Sequence, residues 1–367
     1  MQSRFSDSSP NDTRTSHSPE PPSAEFAGLD GRSGPEAHSG EVSLDLVAQA
    51  ERVAEQLSRL RGMIGRVIFG QDAVIEQALT TFLAGGHALL IGVPGLAKTR
   101  LVETLCTAAG LDGRRIQCTP DLMPADILGS EVLDEDDAGR RHFRFIPGPV
   151  FCQLLMADEI NRASPRTQSA LLQAMQERTI SVAGQTRPLP HPFHVLATQN
   201  PIEQEGTYPL PEAQLDRFLM QIDVDYPDSE AERSMLIATT GTQEDPIRPV
   251  MDAEALLTAQ TLVRRTPVGE SVVEAILTIV RQGRPETTDL ESVSRFVSWG
   301  PGPRAGQALM LACRARALLQ GRFAPSIDDI VALASPILKH RMALTFAARA
   351  DGRTVDDIVD DLCQRIE

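Results

Sequence analysis

Ile91-Gly92-Val93-Pro94-Gly95-Leu96-Ala97-Lys98-Thr99 follows the apolar run Ala88-Leu89-Leu90 and precedes the helical pattern Arg100-Leu101-Val102-Glu103-Thr104-Leu105. The order is strand, glycine-bearing loop, helix, with Lys and Thr closing the loop. A loop short of side chains lets several backbone N–H groups converge on phosphate oxygens, and the helix behind it aims the positive end of its dipole at the same point. Lys98 adds a point charge for the β- and γ-phosphates, and the Thr99 hydroxyl is a ligand for Mg²⁺. The pattern G-x-x-x-x-G-K-[ST] asks for glycine before the lysine; this chain has Ala97, which adds one methyl at the helix start. An ordinary glycine-rich strand-to-helix turn has the same local composition, so the loop needs partners elsewhere in the chain.

A chain of 367 residues suits about two domains. Its 41% hydrophobic content supports a sizeable core, and aromatics at 4% make that core aliphatic. The net charge of −15 disfavours a surface that embraces nucleic acid, because phosphate neutralisation needs clustered Lys and Arg. Cys106, Cys118, Cys152, Cys313 and Cys363 are widely spaced and form no C-x-x-C pair, which predicts buried free thiols in a reducing compartment, not disulfides or a zinc site. No apolar run reaches the roughly 18 residues of a membrane span. The start, Met1-Gln2-Ser3-Arg4-Phe5-Ser6-Asp7, lacks the apolar core of a secretory signal, so a cytoplasmic address is expected.

Residues 1–42 are rich in Ser, Pro, Gly, Asp and Glu and are expected to be a disordered acidic tail, because they cannot bury enough apolar surface to offset ordering. Ser43 then N-caps a helical pattern in which Leu46, Val47, Ala50, Val53, Ala54, Leu57 and Leu60 recur at three- and four-residue steps. A second helix over 72–83 leads into the strand before the loop. Beyond the loop, a short strand over 114–118 and a hairpin of 131–133 with 143–145 precede Cys152-Gln153-Leu154-Leu155-Met156-Ala157-Asp158-Glu159. An apolar run that stops abruptly at acid is a buried parallel strand whose C-terminal end opens into a site. A helix over 165–177, a hairpin near 179–185, a strand from Phe193 to Asn200 ending in amides and a last strand over 219–224 complete the pattern. Strands alternating with helices predict a three-layer α/β domain with a parallel sheet over 43–226. From Ser229 the pattern is helical only, over 231–239, 253–262, 268–281, 304–319, 326–338 and 355–366, so residues 227–367 are expected to form a smaller all-helical domain.

The loop gains meaning from the strand ends. Asp158 can hold Mg²⁺ through water while Glu159 acts as general base on the attacking water. Asn200, ending a neighbouring strand, can orient that water as a neutral amide. Arg217, at a helix end before the last strand, and Arg304, at the start of a helix in the second domain, are candidates to stabilise γ-phosphate charge, and an arginine from a neighbouring subunit couples hydrolysis to assembly. A salt bridge is the alternative role for each.

The stretches Gly92–Thr99, Leu155-Met156-Ala157-Asp158-Glu159-Ile160-Asn161-Arg162, Ala197-Thr198-Gln199-Asn200-Pro201, Glu205-Gly206-Thr207-Tyr208-Pro209-Leu210-Pro211-Glu212-Ala213-Gln214-Leu215-Asp216-Arg217-Phe218 and Gly302-Pro303-Arg304-Ala305 together resemble the MoxR family of AAA+ ATPases, whose loop commonly reads G-x-P-G-x-A-K-T. The resemblance implies an AAA+ P-loop NTPase core followed by a helical lid. It implies ATP and Mg²⁺ as ligands, with a Walker A loop of Gly92, Val93, Pro94, Gly95, Leu96, Ala97, Lys98 and Thr99, next to Arg100. It further implies a Walker B pair at Asp158 and Glu159 with Thr99 and Asp158 on the metal, sensor 1 at Asn200, an arginine finger at Arg217 and sensor 2 at Arg304. Val67, Ile68, Gly70 and Gln71 resemble the box that packs on adenine, and the two hairpins resemble insertions that face substrate or a ring pore. Arg162 is a second candidate inter-subunit arginine, but a salt bridge is the role expected of it. The tail is not part of the family pattern, and Gln173 and Gln176 stand where acids are common. By resemblance the chain forms a homo-oligomeric ring, commonly a hexamer, and works as a chaperone with a von Willebrand factor A domain partner. A magnesium-chelatase-type motor subunit and a nucleotide-gated scaffold with little turnover are the alternatives; the intact Asp158-Glu159 pair argues against the scaffold, and the acidic balance against a DNA motor.

Overall fold

The computed structural model describes residues 38–135, 139–203, 206–241 and 246–366, so the expected disordered tail lies, up to residue 37, outside the described residues. Helix α1 (His38–Gly65) and α2 (Asp72–Leu83) lead to β1 (Ala88–Ile91), and α3 (Lys98–Ala108) follows the loop. Next come β2 (Gly113–Gln117), α4 (Pro124–Leu128), a hairpin of β3 (Gly129–Glu135) and β4 (Arg141–Pro147), β5 (Leu154–Asp158) and α5 (Pro165–Glu177). A second hairpin of β6 (Thr179–Val182) and β7 (Gln185–Pro188), then β8 (His194–Gln199), α6 (Glu212–Leu215) and β9 (Met220–Asp223), completes the α/β part. Beyond it lie α7 (Ser229–Thr240), α8 (Ala253–Arg265), α9 (Glu270–Gln282), α10 (Glu291–Phe296), β10 (Val297–Trp299), α11 (Pro303–Leu319), α12 (Ile327–Leu338), β11 (Ala343–Leu344), α13 (Phe346–Ala350) and α14 (Val355–Cys363).

Two expectations need correction. Helix α1 begins at His38 and runs through Ser43, which therefore does not cap it; no proline interrupts the stretch, and helical hydrogen bonding continues upstream. The region read as helical only from Ser229 also carries an antiparallel ribbon of β10 and β11, strands of three and two residues, too short for a period of two to register.

The main sheet has the order β2-β5-β8-β1-β9, and every neighbouring pair is parallel. Side chains alternate across a strand, and here each face has its own core. Ala88, Leu90, Leu154, Met156 and Leu196 join α1, α2 and α3 and the helices α8, α9, α11, α12 and α14 in one hydrophobic cluster. Leu89, Leu155, Ala157, Val195 and Ala197 join α5 in the other. Burial on both faces explains why these strands read as unbroken apolar runs, and each buried leucine contributes roughly 1.5–3 kcal/mol. The register Gln117↔Asp158, Ala157↔Ala197 and Ile91↔Gln199 brings the carboxyl ends of β2, β5, β8 and β1 to one edge.

A polar knot ties the helical region to α2. Asp329, fully buried, accepts bonds from Arg316 at 2.6 Å, from Arg322 at 2.8 and 2.5 Å and from the Ser326 N–H at 2.8 Å, while Arg316 also donates to Glu76 of α2 at 2.7 Å. Removing a buried carboxylate leaves its partners uncompensated. Asp329→Ala is expected to lower unfolding free energy by about 3 kcal/mol, measured by denaturant titration.

Candidate active site

Gly92 is where the loop leaves β1, and a Cβ there would lie 2.5 Å from the Val224 carbonyl oxygen at the end of β9, so only glycine lets the two strand ends approach. Ala97 adopts a left-handed conformation, φ 55° and ψ 20°, immediately before α3. A residue with a Cβ is strained there by about 1 kcal/mol, so the alanine in the pattern's glycine position has a conformational cost beyond its added methyl. The Lys98 ammonium bends back over the loop and donates to the carbonyls of Gly92 at 2.5 Å and Val93 at 2.8 Å. Its partial burial lowers its pKa, against the pull of Asp158 and Glu159.

Two clefts meet at this loop. One, of about 390 Å³, is lined by Pro94, Gly95, Leu96, Ala97, Lys98, Thr99, Arg100, Asp158, Glu159, Thr198 and Asn200. The other, of about 640 Å³, shares Gly95, Leu96, Ala97 and Arg100 and extends to Val67, Ile68, Gln71, Tyr226 and Met235. The expected Walker, sensor-1 and adenine-box residues thus line one continuous depression, with exceptions. Gly92 and Val93 are not among its lining residues; their carbonyls accept from Lys98. Gly70, at φ +66°, also stands outside the lining, and a Cβ there would lie 2.4 Å from the Ala231 Cβ; it lets α7 approach. Gln71 donates to the Asp225 carbonyl at 2.7 Å and so fixes the chain entering α7. That helix has no buried residue, yet Glu232, Met235, Ala238 and Thr239 wall the larger cleft.

The acids are held in place by neighbours that sequence reasoning missed. The Thr198 hydroxyl donates to Asp158 Oδ1 at 2.6 Å and accepts from the Glu159 N–H at 2.9 Å. Arg115 pairs with Asp158 Oδ2 at 2.6 Å, and Gln117 Nε2 donates to Glu159 Oε2 at 2.8 Å. Glu159 itself is left-handed, φ 54° and ψ 51°, in a turn at the end of β5 that redirects its side chain. Such strain persists where the surroundings over-determine it, commonly at active sites. Arg162 pairs with Glu159 at 3.3 Å and Glu203 at 3.4 Å, the salt-bridge role expected of it. Asn200 is buried and accepts from the Ile202 N–H at 3.2 Å. The one signal for Thr198 lay in its place two residues before Asn200, on the same face of the strand; nothing local marks Arg115 or Gln117.

Arg217 and Arg304 do not join this lining. Arg217 is half-buried just after α6, and its guanidinium has no partner among the described residues. Arg304 starts α11 and lies 3.6 Å from Asp216, the residue before Arg217. Arg304 thus sits against the residue that precedes Arg217, and neither arginine lines the cleft of its own chain.

The depression fits a nucleoside triphosphate with a divalent cation: apolar residues at one end, amides and an ammonium in the middle, and a hydroxyl with carboxylates at the other. Thr99 and Asp158 bring a hydroxyl and a carboxylate to the same cleft, a small set of oxygen donors of the kind that holds Mg²⁺ together with phosphates and water. None of the five cysteines forms a disulfide, and no helix among the described residues is long and apolar enough to cross a membrane.

Residues 87–220 match the family described as ATPase family associated with various cellular activities (AAA), and residues 291–362 match the AAA lid domain. Chaperone MoxR1 of Mycobacterium tuberculosis is 39% identical over 345 residues, covering 93% of this chain and 90% of that protein. Protein MoxR of Paracoccus denitrificans is 34% identical over 298 residues, covering 76% and 86% respectively. A crystal structure of a candidate ATPase from Cytophaga hutchinsonii matches with a TM-score of 0.81 at 35% identity, covering 91% of this chain and 99% of that one.

Proposed function

Because the chain belongs to the MoxR family of AAA+ ATPases, with an AAA+ α/β domain followed by a lid, we propose that it hydrolyses ATP as a ring and uses the turnover to remodel partner proteins. The observation that carries the proposal is the Glu159 turn: it sets a second carboxylate beside Asp158 in the same cleft as Lys98 and Thr99. In that reading the wider cleft takes the base against Val67, Ile68 and Leu96. The N-terminus of α3 and Lys98 take the phosphates. Thr99 and Asp158 would hold Mg²⁺, which neutralises charge on the transferred phosphoryl group. Glu159 accepts a proton from the attacking water, and Asn200 orients that water. Gln117 and Arg162 both hold Oε2, which orients the carboxylate and leaves Oε1 for the water.

Arg217 and Arg304 lie apart from their own cleft, which supports their reaching the cleft of a neighbouring subunit in a ring, commonly a hexamer. The chaperone name of the 39% relative supports the remodelling role. A von Willebrand factor A domain partner, the two hairpins as substrate-facing insertions and a cytoplasmic setting belong to the same proposal on the family resemblance. Glu159→Gln tests it: ATP binding is expected to persist while turnover falls about 10²-fold, the scale of a lost general base. Turnover equal to that of the unaltered protein would exclude the role.

A further inference from the structure

We propose that Arg341 is a positioning residue that sets both Arg217 and Arg304 for the neighbouring subunit's phosphate; this rests on the reading that those arginines act in trans. Arg341 closes the 3-10 turn Lys339–Arg341 after α12 and is 2% exposed. Its Nε donates to Asp216 Oδ1 at 2.7 Å. Its two terminal nitrogens donate to the carbonyls of Phe218 and Ile337, each at 2.6 Å, of Leu219 at 3.2 Å and of Asp216 at 3.3 Å. The residues on both sides of Arg217 are thus gripped through their backbone by one lid side chain. The same turn adds a bond between His340 Nε2 and the Phe218 carbonyl at 3.2 Å and an ion pair of Lys339 with Asp223.

The chemistry favours a positioning role over plain packing. A buried guanidinium is a poor filler, since an apolar side chain of similar volume avoids its desolvation. What the planar fork supplies and an apolar chain cannot is a fixed register against several carbonyls at once. Asp216 extends that register: Oδ1 faces Arg341 and Oδ2 faces Arg304 at 3.6 Å, so one carboxylate orients an arginine of the lid while its neighbour in sequence, Arg217, has no partner among the described residues. A shift of the lid turn moves both cations together. Nothing in this network touches the chain's own cleft.

Arg341→Lys keeps a charge beside Asp216 and loses the fork. The variant is expected to bind ATP with a dissociation constant within about twofold of the unaltered protein and to keep its KM, while kcat falls about 10-fold or more, because small misplacements of a catalytic group are costly. Mixing it with Glu159→Gln chains, whose arginines are intact, is expected to restore part of the turnover, as it does for Arg217→Ala chains in parallel. A folded Arg341→Lys protein with unchanged kcat overturns the proposal. So does a loss that Glu159→Gln chains fail to restore although they rescue Arg217→Ala, since Arg341 would then act only within its own chain. If Arg217→Ala is not rescued either, the trans reading fails and the positioning role falls with it. Should Arg341→Lys not fold, Asp216→Ala, which removes the carboxylate that links Arg341 to Arg304 while the backbone bonds of Arg341 remain, carries the same outcomes.

Discussion

Arg217→Ala is expected to lower ATP turnover by about 10³-fold or more and to leave ATP binding by the same chain nearly intact, the scale on which an arginine supplied to a transferred phosphoryl group acts. The asymmetry follows from position. Arg217 lines neither cleft of its own chain, so removing it takes nothing from the ground-state pocket. Its guanidinium has no partner among the described residues, so its loss also breaks no internal bond, and unfolding temperature should stay put. Steady-state phosphate release at saturating ATP, read against equilibrium nucleotide binding, separates the two effects. Weakened ATP binding by the isolated chain, or turnover within a few-fold of the unaltered protein, would remove Arg217 from the reaction.

Acid is expected to unfold the protein in a window set by three buried histidines. His87 accepts from the Val195 N–H at 2.9 Å through Nδ1, so its Nε2 carries the proton toward the Met175 carbonyl at 3.1 Å. His194 faces the Gly86 carbonyl through Nδ1 at 2.8 Å and accepts from Gln260 through Nε2 at 3.1 Å. His340 bonds the Phe218 carbonyl through Nε2, and its Nδ1 is buried without a partner among the described residues. Among the described residues none of the three rings has a carboxylate to accept from a second N–H. Burial, with lesser contributions from His194 and Arg178, lowers His87 from 6.5 to about 3. Burial and then Arg178 lower His194 to about 4, and burial with Arg341 and Lys339 holds His340 well below 6.5.

As pH falls through 6.5 the unfolded chain takes up protons that the folded chain refuses, so stability declines from that point and keeps declining until the folded rings titrate. Each ring contributes about 1.4 kcal/mol per pH unit. Between pH 6.5 and 4.5 His87 and His194 together remove about 5 kcal/mol, at the lower end of the whole stability of an ordinary domain, and His340 adds to the loss in the same direction. Urea-unfolding midpoints at pH 7, 5.5 and 4.5 check this: a steep fall is expected, and a constant midpoint would mean that the rings are not neutral and enclosed.

The parts of the site that declared themselves in the sequence are those whose signal is local. Lys98 and Thr99 follow their loop directly, and Asp158, Glu159 and Asn200 end apolar strands, so composition and period suffice. Arg115, Gln117 and Thr198 depend on which strand lies beside which. Gln117 reaches Glu159 only because β2 pairs with β5 in the register Gln117↔Asp158, and no spacing along the chain encodes that. The cost at Ala97 was hidden for a different reason, since a φ of 55° belongs to the backbone and not to the residue name. In the lid, α10, β10, β11 and α13 escaped because each is six residues or fewer. Arg341, 125 positions from Asp216, was one more basic residue after an apolar helix.

Helix α7 carries Met235, Leu236 and Ile237 yet buries none of its residues, and it forms one wall of the larger cleft. In the terms of amide exchange it is a unit of low local stability: few apolar contacts resist its opening, so its hydrogens trade with solvent well before those of β1 or β8. An occupant that packs on Met235 and Ala238 supplies the missing contacts. Part of the affinity for that occupant is then spent on ordering α7, and the filled or empty state of the cleft is written into how firmly this one helix is closed.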